Sequence, residues 1–360
     1  MLRGAMIGFG NVAAHGHVPG WLGRPDVEIV AVSDTKEARR AEADRLIPHA
    51  CWYDSVETLL AKECLDFVDI CTPPSSHVDL IRAALQRGVH VLCEKPLVTS
   101  PEDLAMLSSL AVSERKVLYT VHNWRQAPIV QLVQDLLRQD SIGEVSYCRW
   151  QTLRMKPAAA GDGQTGNWRV DPSLAGGGIL VDHGWHVFSL LHGWFGAGPV
   201  RISARLERKQ HTQYSVEDTA SVQLQFPHAA ADVYLTWAAD RRKTCAELKG
   251  TRGTIRVEDS TVLLTHTGPH GAERRWTFSP ALSEGSHHPE WFGDVATGFL
   301  TSMKDQAIRR ANLADASLCV TLIALAQESD RKGGACLPVA SGTAEQWTEE
   351  GAGEAECKRG

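Results

Sequence analysis

Five short apolar runs divide the first 125 residues into alternating strand-like and helix-like segments. The runs are residues 2–9, 27–33, 67–72, 89–93 and 117–121, and helical patterns such as 78–87 and 101–113 lie between them. The runs are apolar throughout rather than at every second position, which is typical of strands covered on both faces. This strand–helix–strand repetition predicts an α/β fold with a doubly wound parallel sheet and right-handed crossovers.

The second half of the chain has a different pattern, in which strand-like runs follow one another between turn residues. The runs are residues 200–207, 219–226, 232–237, 245–250, 253–258, 262–266 and 275–278. Several alternate, as where Val222, Leu224 and Phe226 share one face and polar residues share the other. With helical patterns at 175–195, 290–309 and 312–332, these runs predict an α+β unit with a largely antiparallel open sheet.

A chain of 360 residues, at roughly 150 residues per domain, predicts two domains. We expect the boundaries 1–124 and 125–339, followed by a flexible tail at 340–360, which is rich in Gly, Ala, Glu and Ser. The chain has 37 Lys and Arg against 43 Asp and Glu, a net charge of −6. Without a long basic run, this balance gives no reason to expect a nucleic-acid partner.

Hydropathy and cysteine usage indicate the cellular compartment of such a chain. No apolar run reaches the ~18 residues that cross a bilayer, and residues 1–3 lead directly into the first predicted strand without a signal core. The nine cysteines form no C-x-x-C pair, which argues against a disulfide framework and against a thiolate zinc site. We therefore expect a cytoplasmic protein with no membrane partner and no metal.

The turn after the first predicted strand carries a dinucleotide-binding pattern. Gly8-Phe9-Gly10-Asn11-Val12-Ala13 fits G-x-G-x-x-A, in which the glycines let the backbone approach a pyrophosphate at a helix N-terminus. Asp34 ends the second predicted strand, where a carboxylate takes the hydroxyls of the adenosine ribose and repels a 2′-phosphate. We predict NAD as the cofactor. NADP remains an alternative because Lys36, Arg39 and Arg40 follow closely, although a solvated helix face is the simpler interpretation of these bases.

Several pieces of this sequence together resemble the Gfo/Idh/MocA oxidoreductases, the family of glucose–fructose oxidoreductase and inositol dehydrogenase. They occur in the family's order over most of residues 1–330. The pieces are the 8–13 loop, Asp34, Thr72-Pro73-Pro74-Ser75-Ser76-His77, Glu94-Lys95-Pro96, and Gly176-Gly177-Gly178 followed by Asp182 and His186.

The resemblance implies an N-terminal Rossmann domain and a C-terminal α+β domain whose open sheet commonly serves in oligomer contacts. A homodimer or homotetramer is therefore expected. It also implies an NAD(P)-dependent dehydrogenase or reductase acting on CH–OH groups. Hydride would pass between the nicotinamide and a carbon of a sugar, a cyclitol or a related polyhydroxylated small molecule.

Lys95, Asp182 and His186 are the predicted catalytic residues. Lys95 follows the fourth predicted strand, at the sheet edge where open α/β folds bind ligands, and suits an oxygen that becomes negatively charged. Asp182 and His186, four residues apart on a predicted helix, share one face, and an imidazole suits the hydroxyl proton. The residues alone also allow a solvated lysine, a capping aspartate and a core histidine. The resemblance favours the catalytic roles, although the family often has an aspartate where Ser189 stands here.

Further residues are expected to surround the cofactor and the substrate. His77 is expected mainly to brace the helix that follows it. His287 and His288 are further candidates for polar residues of the site. The predicted cofactor-binding residues are Gly8, Gly10, Asn11, Val12, Asp34, Thr72, Pro73, Pro74, His77, Glu94, Lys95 and Asn123. The predicted substrate-binding residues are Trp124, Arg125, Trp168, Arg169 and His183.

Two other functions compete with a dehydrogenase that releases its cofactor. Some relatives of the resembled family retain NAD, oxidise and re-reduce one substrate, and so carry out glycoside hydrolysis or internal transfer. A non-catalytic NAD(P)-binding sensor is also compatible with the fold, because fold does not determine function. Sensors of that kind lose the lysine or the histidine of the site, whereas Lys95 and His186 are both present here.

Overall fold

The computed structural model describes residues 1–159, 166–268 and 271–340, and its first half contains a six-stranded parallel sheet. The strand order is β3-β2-β1-β4-β5-β6, so the order reverses between β1 and β4. This confirms the doubly wound parallel sheet. The strands are β1 (Leu2–Ile7), β2 (Val27–Ser33), β3 (Cys51–Tyr53), β4 (Phe67–Ile70), β5 (His90–Cys93) and β6 (Leu118–Thr120).

Helices connect these strands and cover both faces of the sheet. Ser55 and Ser100 begin two of them as N-caps, accepting hydrogen bonds from the Thr58 and Asp103 N–H groups at 3.2 Å. A π-helical turn at Ala13–His17 precedes the first α-helix. The helices are α1 (Val18–Leu22), α2 (Arg40–Leu46), α3 (Val56–Lys62), α4 (His77–Gln86) and α5 (Pro101–Ser113).

The second half contains a mixed, mostly antiparallel sheet of nine strands within the described residues. The strand order is β14-β13-β12-β11-β7-β10-β9-β8-β15, and β7 and β10 are the one parallel pair reported there. The strands are β7 (Val145–Leu153), β8 (Arg201–Glu207), β9 (Thr219–Gln225), β10 (Ala230–Thr236), β11 (Lys243–Gly250), β12 (Gly253–Glu258), β13 (Thr261–His266), β14 (Glu273–Thr277) and β15 (Leu337–Pro338). The predicted α+β architecture is confirmed, although the predicted strands did not include the central β7.

The helices of the second half differ from the predicted ones at two breaks. Helix α6 (Pro128–Arg138) precedes the sheet. The continuous helix predicted at 175–195 is replaced by three shorter elements: α7 (Pro172–Ala175), a π-helical turn (Leu180–Gly184) and α8 (Trp185–Phe195). The break falls at Gly176, whose φ is +80°, and at Gly178, where a Cβ would lie 2.0 Å from the Glu217 carbonyl oxygen. The Glu217 carboxylate then accepts the Gly178 and Leu180 N–H groups.

The last two helices are α9 (Pro289–Ser302) and α10 (Gln306–Arg331). They divide earlier than predicted because Asp305 caps α10, accepting the Ala307 N–H at 2.8 Å. No helix in the described part of the chain combines the length and apolarity of a membrane span. The predicted tail falls almost entirely within residues 341–360, which lie outside the described residues.

The apolar core is continuous between the two sheets. One cluster contains Ile7 and Val68 of the first sheet together with Trp150 and Leu235 of the second. A second cluster lies under α9, whose Phe292 and Phe299 pack with aromatic residues of the first 70 residues. Because residues 289–302 pack on the first sheet, the boundaries 1–124 and 125–339 stay a prediction.

Candidate active site

A cleft of about 1270 Å³ lies at the carboxyl edge of the first sheet. Gly8 ends β1 with φ +83°, a left-handed conformation that favours glycine, and a Cβ there would lie 2.7 Å from the Thr72 side chain. Seven of the predicted cofactor-binding residues line this cleft: Gly8, Gly10, Asn11, Val12, Asp34, Thr72 and Pro73. The reversal of strand order between β1 and β4 is where open α/β sheets bind their ligands.

Asp34 is held in this cleft by the backbone on both sides of it. Its carboxylate accepts the Phe9 N–H at 2.7 Å and the Lys36 N–H at 2.8 Å. The acid at the end of β2 is thus tied to the glycine loop after β1. The glycine loop and Asp34, which are separate in the sequence, are thus hydrogen-bonded to each other.

His77 and Pro74 belong to the support of the cleft rather than to its wall. His77 is fully buried, and its Nε2 lies 2.9 Å from the Thr72 carbonyl oxygen. Its Nδ1 lies 2.9 Å from the Pro96 carbonyl oxygen, so the ring connects the turns after β4 and β5. Neither His77 nor Pro74 is among the described residues that line the cleft. The bracing role expected of His77 agrees with this geometry, and direct contact with the cofactor does not.

Lys95 and Asp182 meet in a smaller cavity of about 120 Å³ that adjoins the cleft. Lys95 Nζ donates to Asp182 Oδ1 at 3.0 Å and to the Asp182 carbonyl oxygen at 2.8 Å. Burial alone would raise the pKa of Asp182, but Lys95, His183 and Arg169 together outweigh it and hold that pKa well below its usual value. The pair is therefore a carboxylate fixing an ammonium group, although the two residues are 87 positions apart.

His186 lines the same cavity as Lys95 and stacks on Trp124. The two rings lie 4.8 Å apart with a 10° angle between their planes, which orients the imidazole. Burial lowers the pKa of His186 well below its usual value, and the Lys95 charge lowers it further. His186 is consequently a neutral imidazole, and its Nδ1 has no hydrogen-bond partner among the described residues.

Comparison with protein families matches both halves of the chain. Residues 2–122 match the model described as "Oxidoreductase family, NAD-binding Rossmann fold", and residues 130–256 match the "GFO/IDH/MocA C-terminal domain". The chain belongs to the Gfo/Idh/MocA family. It is therefore an oxidoreductase with an NAD-binding Rossmann domain, as the sequence motifs predicted.

Curated relatives of this Gfo/Idh/MocA chain include several sugar oxidoreductases. D-xylose 1-dehydrogenase (NADP(+)) 2 of Haloferax volcanii is 36% identical over 179 residues, 49% of this chain and 52% of the relative. D-glucoside 3-dehydrogenase of Escherichia coli is 30% identical over 62% of this chain and 67% of its own. The chain thus spans about half the length of the first of these relatives and two thirds of the second.

Solved structures share the fold over almost the whole chain. An Agrobacterium radiobacter oxidoreductase in complex with NAD+, L-tartaric acid and magnesium has a TM-score of 0.80, is 24% identical, and covers 94% of this chain and 98% of its own. Levoglucosan dehydrogenase in complex with NADH and levoglucosan has a TM-score of 0.79 at 20% identity, covering 94% and 100%. At these identities the likeness concerns the fold alone.

In this family member, Trp168 and Arg169 lie where the cleft and the smaller cavity join, lining both. The Arg169 guanidinium lies 4.3 Å from the centre of the Trp168 ring, and its Nε lies 4.0 Å from Asp182 Oδ1. His183 Nδ1 lies 3.1 Å from the other Asp182 oxygen. The smaller cavity is also lined by Glu94 and Asn123, two predicted cofactor-binding residues, and by Trp124 and His183, two predicted substrate-binding residues.

Arg125 differs from its prediction as a substrate-binding residue. Its guanidinium donates to Asp315 Oδ1 at 3.1 Å and to the Ser189 carbonyl oxygen at 3.0 Å, and it is not among the described residues lining either cavity. Ser189 Oγ donates to the same Asp315 at 2.5 Å. The carboxylate expected near position 189 is thus supplied by α10, a contact that no local sequence pattern could have revealed.

His17 and Asp69 form a buried network that sequence reasoning missed. His17 Nδ1 lies 2.9 Å from Asp69 Oδ2, and its Nε2 lies 3.0 Å from Glu94 Oε1. His17, Asp69 and Cys71 place possible metal-ligand atoms within 4.8 Å of one another. Asp69 also accepts the Trp21 Nε1–H at 2.7 Å, so protein hydrogen bonds already engage this carboxylate. An acidic residue inside the apolar run 67–72 was the available signal.

Arg154, Lys156 and Arg242 also line the smaller cavity and were missed. Arg154 and Lys156 follow β7, the strand absent from the prediction, and Arg242 immediately precedes β11. Because β7 and β11 are paired, these bases approach one another across the second sheet. His287 and His288, named as additional candidates, line the same cavity.

Proposed function

We propose that this protein is a dehydrogenase that oxidises a hydroxyl-bearing carbon of a sugar, cyclitol or related polyol, with NAD accepting the hydride. The observation that carries the proposal is the meeting of Lys95, Asp182 and His186 at one cavity adjoining the dinucleotide cleft. The names of the relatives support the substrate class, since they include dehydrogenases of D-xylose, a D-glucoside and D-apiose.

The cleft residues fit a dinucleotide. Apart from the chain neighbours of Gly10, no heavy atom of the described residues lies within 4 Å of the position that a Gly10 Cβ would occupy, so the loop leaves open space where a pyrophosphate would approach the backbone. Gly8, Gly10, Asn11 and Val12 would hold that pyrophosphate, and Asp34 would hold the adenosine ribose. Bound NAD supplies the carbon that accepts the hydride.

Asp34 favours NAD over NADP. Its carboxylate would repel a 2′-phosphate, and the two backbone hydrogen bonds fix it in the cleft. Lys36 and Arg39 also line the cleft and are the residues that would accommodate a phosphate. Arg39, however, lies 3.8 Å from the Glu42 carboxylate, which offsets part of its charge.

Lys95, Asp182 and His186 have different roles in the proposed reaction. His186 takes the proton of the substrate hydroxyl, whose carbon would lose its hydride to the bound cofactor and become a carbonyl carbon. The Lys95 ammonium donates a hydrogen bond to the same oxygen and stabilises its negative charge. Asp182 holds Lys95 in place and acts through it as a positioning residue.

Substitution of Lys95 and His186 tests this mechanism. A substrate is first identified by thermal-shift screening of NAD and NADP with sugars, inositols and sugar acids. Lys95→Ala and His186→Ala should each lower kcat by a factor of about 10²–10⁴ and leave the Kd of NAD unchanged. The exposed Lys62→Ala and His49→Ala serve as controls. Near-normal turnover in both site variants would refute the assignment.

We further infer a cytoplasmic homodimer or homotetramer. The described cysteines, eight in number, are free thiols, which suits a reducing compartment. Arg149, Gln151 and Tyr234 lie on an accessible face of the second sheet, which supports an oligomer contact there. Light scattering coupled to size-exclusion chromatography tests the subunit number, and a monomer at micromolar concentration would contradict it.

A further inference from the structure

A surplus of positive charge surrounds the cavity at which Lys95 and His186 meet. The lining residues with cationic side chains are Lys95, Arg154, Lys156, Arg169 and Arg242. The described part of the lining offers two carboxylates, Glu94 and Asp182. Glu94 is engaged by His17 at 3.0 Å, and Asp182 is engaged by Lys95 and His183. Because Arg169 lies 4.0 Å from Asp182, the cations left without a carboxylate among the described lining residues are Arg154, Lys156 and Arg242.

Arg154 is the most buried of these cations, with 3% of its surface exposed. Its guanidinium donates to the Leu153 and Lys243 carbonyl oxygens and to Thr244 Oγ1. Its Nε has no hydrogen-bond partner among the described residues. Because these partners are all neutral, no carboxylate of the described residues hydrogen-bonds to this buried charge, whereas buried charges in proteins are usually paired.

Arg242 is more exposed than Arg154 and immediately precedes β11, and its hydrogen-bond partners are also neutral. It donates to the carbonyl oxygens of Ser283 and Gly285, again neutral partners. Asp259 offsets part of the charge of both arginines, but its oxygens already accept hydrogen bonds from Thr244 and Ser283. Burial and, after it, the Arg242 charge lower the pKa of Arg154 to about 10, so the two guanidinium groups repel each other. An anion bound beside them would relieve this repulsion.

We propose that the substrate is a sugar acid or a related polyhydroxy acid, whose carboxylate binds Arg154 and Arg242 while its reacting hydroxyl meets Lys95 and His186. This rests on the proposed dehydrogenase function and specifies its substrate class. A guanidinium group matches a carboxylate through two parallel hydrogen bonds. A neutral sugar would leave the arginines without a counter-ion.

Matched ligands in calorimetric binding to the NADH-saturated protein test the charge preference without turnover. The pairs are D-gluconate with D-glucitol and D-galacturonate with D-galactose, and D-glucose 6-phosphate represents the phosphate. We expect each acid to bind at least about tenfold more tightly than its neutral partner. Arg242→Gln should weaken acid binding by about tenfold and leave the neutral ligands and NADH unchanged. Arg138→Gln, on the exposed face of α6, is the matched control and should change neither.

A second variant and a salt series cover the case in which Arg242→Gln fails to fold. Lys156 is exposed at the same cavity, and Lys156→Gln should also weaken the acids selectively. Raising the NaCl concentration should weaken the binding of the acids more than that of the neutral ligands, because salt screens charge interactions. Equal binding of acids and neutral partners, including no binding of either, would overturn the proposal, as would tightest binding of the phosphate.

The failure of the parent function is detected separately. If a neutral polyol yields NADH efficiently and the acid is not preferred, the dehydrogenase function is supported and the acid substrate class is refuted. If the protein binds acids selectively but forms NADH from no acid or polyol, the dehydrogenase function is refuted instead. The two results are distinguishable because one experiment measures binding and the other measures hydride transfer.

Discussion

His186 and His17 are both buried histidines, but their neighbours move their pKa values in opposite directions. Burial and the Lys95 charge lower the pKa of His186. Burial also works against the charged form of His17, but Asp69 and Cys71 together outweigh it and raise the pKa of His17 well above its usual value. The same side chain is therefore a neutral proton acceptor at the cavity and a cation beneath the cofactor loop.

The neutral form of His186 predicts a flat pH profile for oxidation. A histidine with an ordinary pKa of about 6.5 would be mostly protonated at pH 6 and would lose activity as an acceptor. Because the pKa of His186 lies well below that value, kcat/KM should not fall between pH 8 and pH 6 through this group. Initial rates across this range measure it, and a decline with an apparent pKa near 6.5 that disappears in His186→Gln would contradict it.

The raised pKa of His17 predicts a pH dependence of stability. The folded protein holds a proton on His17 that the unfolded chain releases above its own pKa, so this contribution is present below about pH 6.5 and is lost as pH rises through the folded-state pKa. The urea midpoint of the wild type should therefore fall above pH 6.5 more steeply than that of His17→Asn. His49→Asn, at an exposed position, should keep the wild-type slope. Parallel slopes in all three proteins would argue against a charged His17.

The sequence predicted individual residues well where a motif carries its own geometry. Gly8, Asp34 and Lys95 follow strand ends, and parallel strands bring those ends to one edge of the sheet. Arg125 was misplaced because a neighbour at position 123 or 124 can face the cavity while the next side chain turns toward Asp315. Such a direction depends on a partner 190 residues away, which a local pattern does not contain.

At the scale of elements, long apolar runs were predicted reliably and short or broken ones were not. The runs at 27–33 and 101–113 match β2 and α5 residue for residue. β3 has three residues, none of them fully buried, so it presents no apolar run. The helix predicted at 175–195 is broken because tertiary contact with Glu217 fixes the glycine turn, and propensity alone does not include that contact.

Asp315 joins two helices, α8 and α10, through one carboxylate. Burial would raise its pKa, but His122, His192 and Arg125 outweigh it and lower the pKa from 3.8 to about 2. A carboxyl group with a lowered pKa stabilises the folded state at any pH above its unfolded-state pKa, here by roughly 2 kcal/mol. This stabilisation is lost as the pH falls through the folded-state pKa of about 2. This contribution is fully present at neutral pH.

Removal of this charge should destabilise the protein without touching the cavity. Asp315→Asn leaves Arg125 without its carboxylate and should lower Tm by about 5–10 °C, because breaking a buried ion pair costs several kcal/mol. Asp135→Asn, at an exposed position of α6, is the control and should leave Tm nearly unchanged. Differential scanning calorimetry at pH 7 measures both. Equal midpoints for Asp315→Asn and the wild type would show that the carboxylate is dispensable.

At the scale of the whole molecule, net charge is a poor guide to the site. The chain carries −6, yet the smaller cavity has five cationic side chains and two carboxylates in the described part of its lining. Composition averages over a surface in which acidic and basic residues are unevenly distributed. The overall balance could therefore exclude a nucleic-acid partner in the prediction and still give no sign of an anionic substrate.

The continuous core between the two sheets predicts cooperative unfolding of both halves. Ile7 and Trp150 belong to one apolar cluster, and α9 from the end of the chain packs Phe292 on the His17 ring at 3.9 Å. Separate unfolding of the first sheet would therefore expose core surface of both halves. We expect a single calorimetric transition whose calorimetric and van't Hoff enthalpies agree.

Two further measurements sharpen this prediction. NAD at about 100 times its Kd should raise the free energy of unfolding by about 2.7 kcal/mol. The single transition should move to a higher temperature and not split into two, because binding in the cleft stabilises every part that unfolds with it. Phe292→Ala removes a large buried contact between the halves and should cost about 3–5 kcal/mol. If the halves unfold independently, NAD will shift only the first of two transitions, and Phe292→Ala will separate them no further.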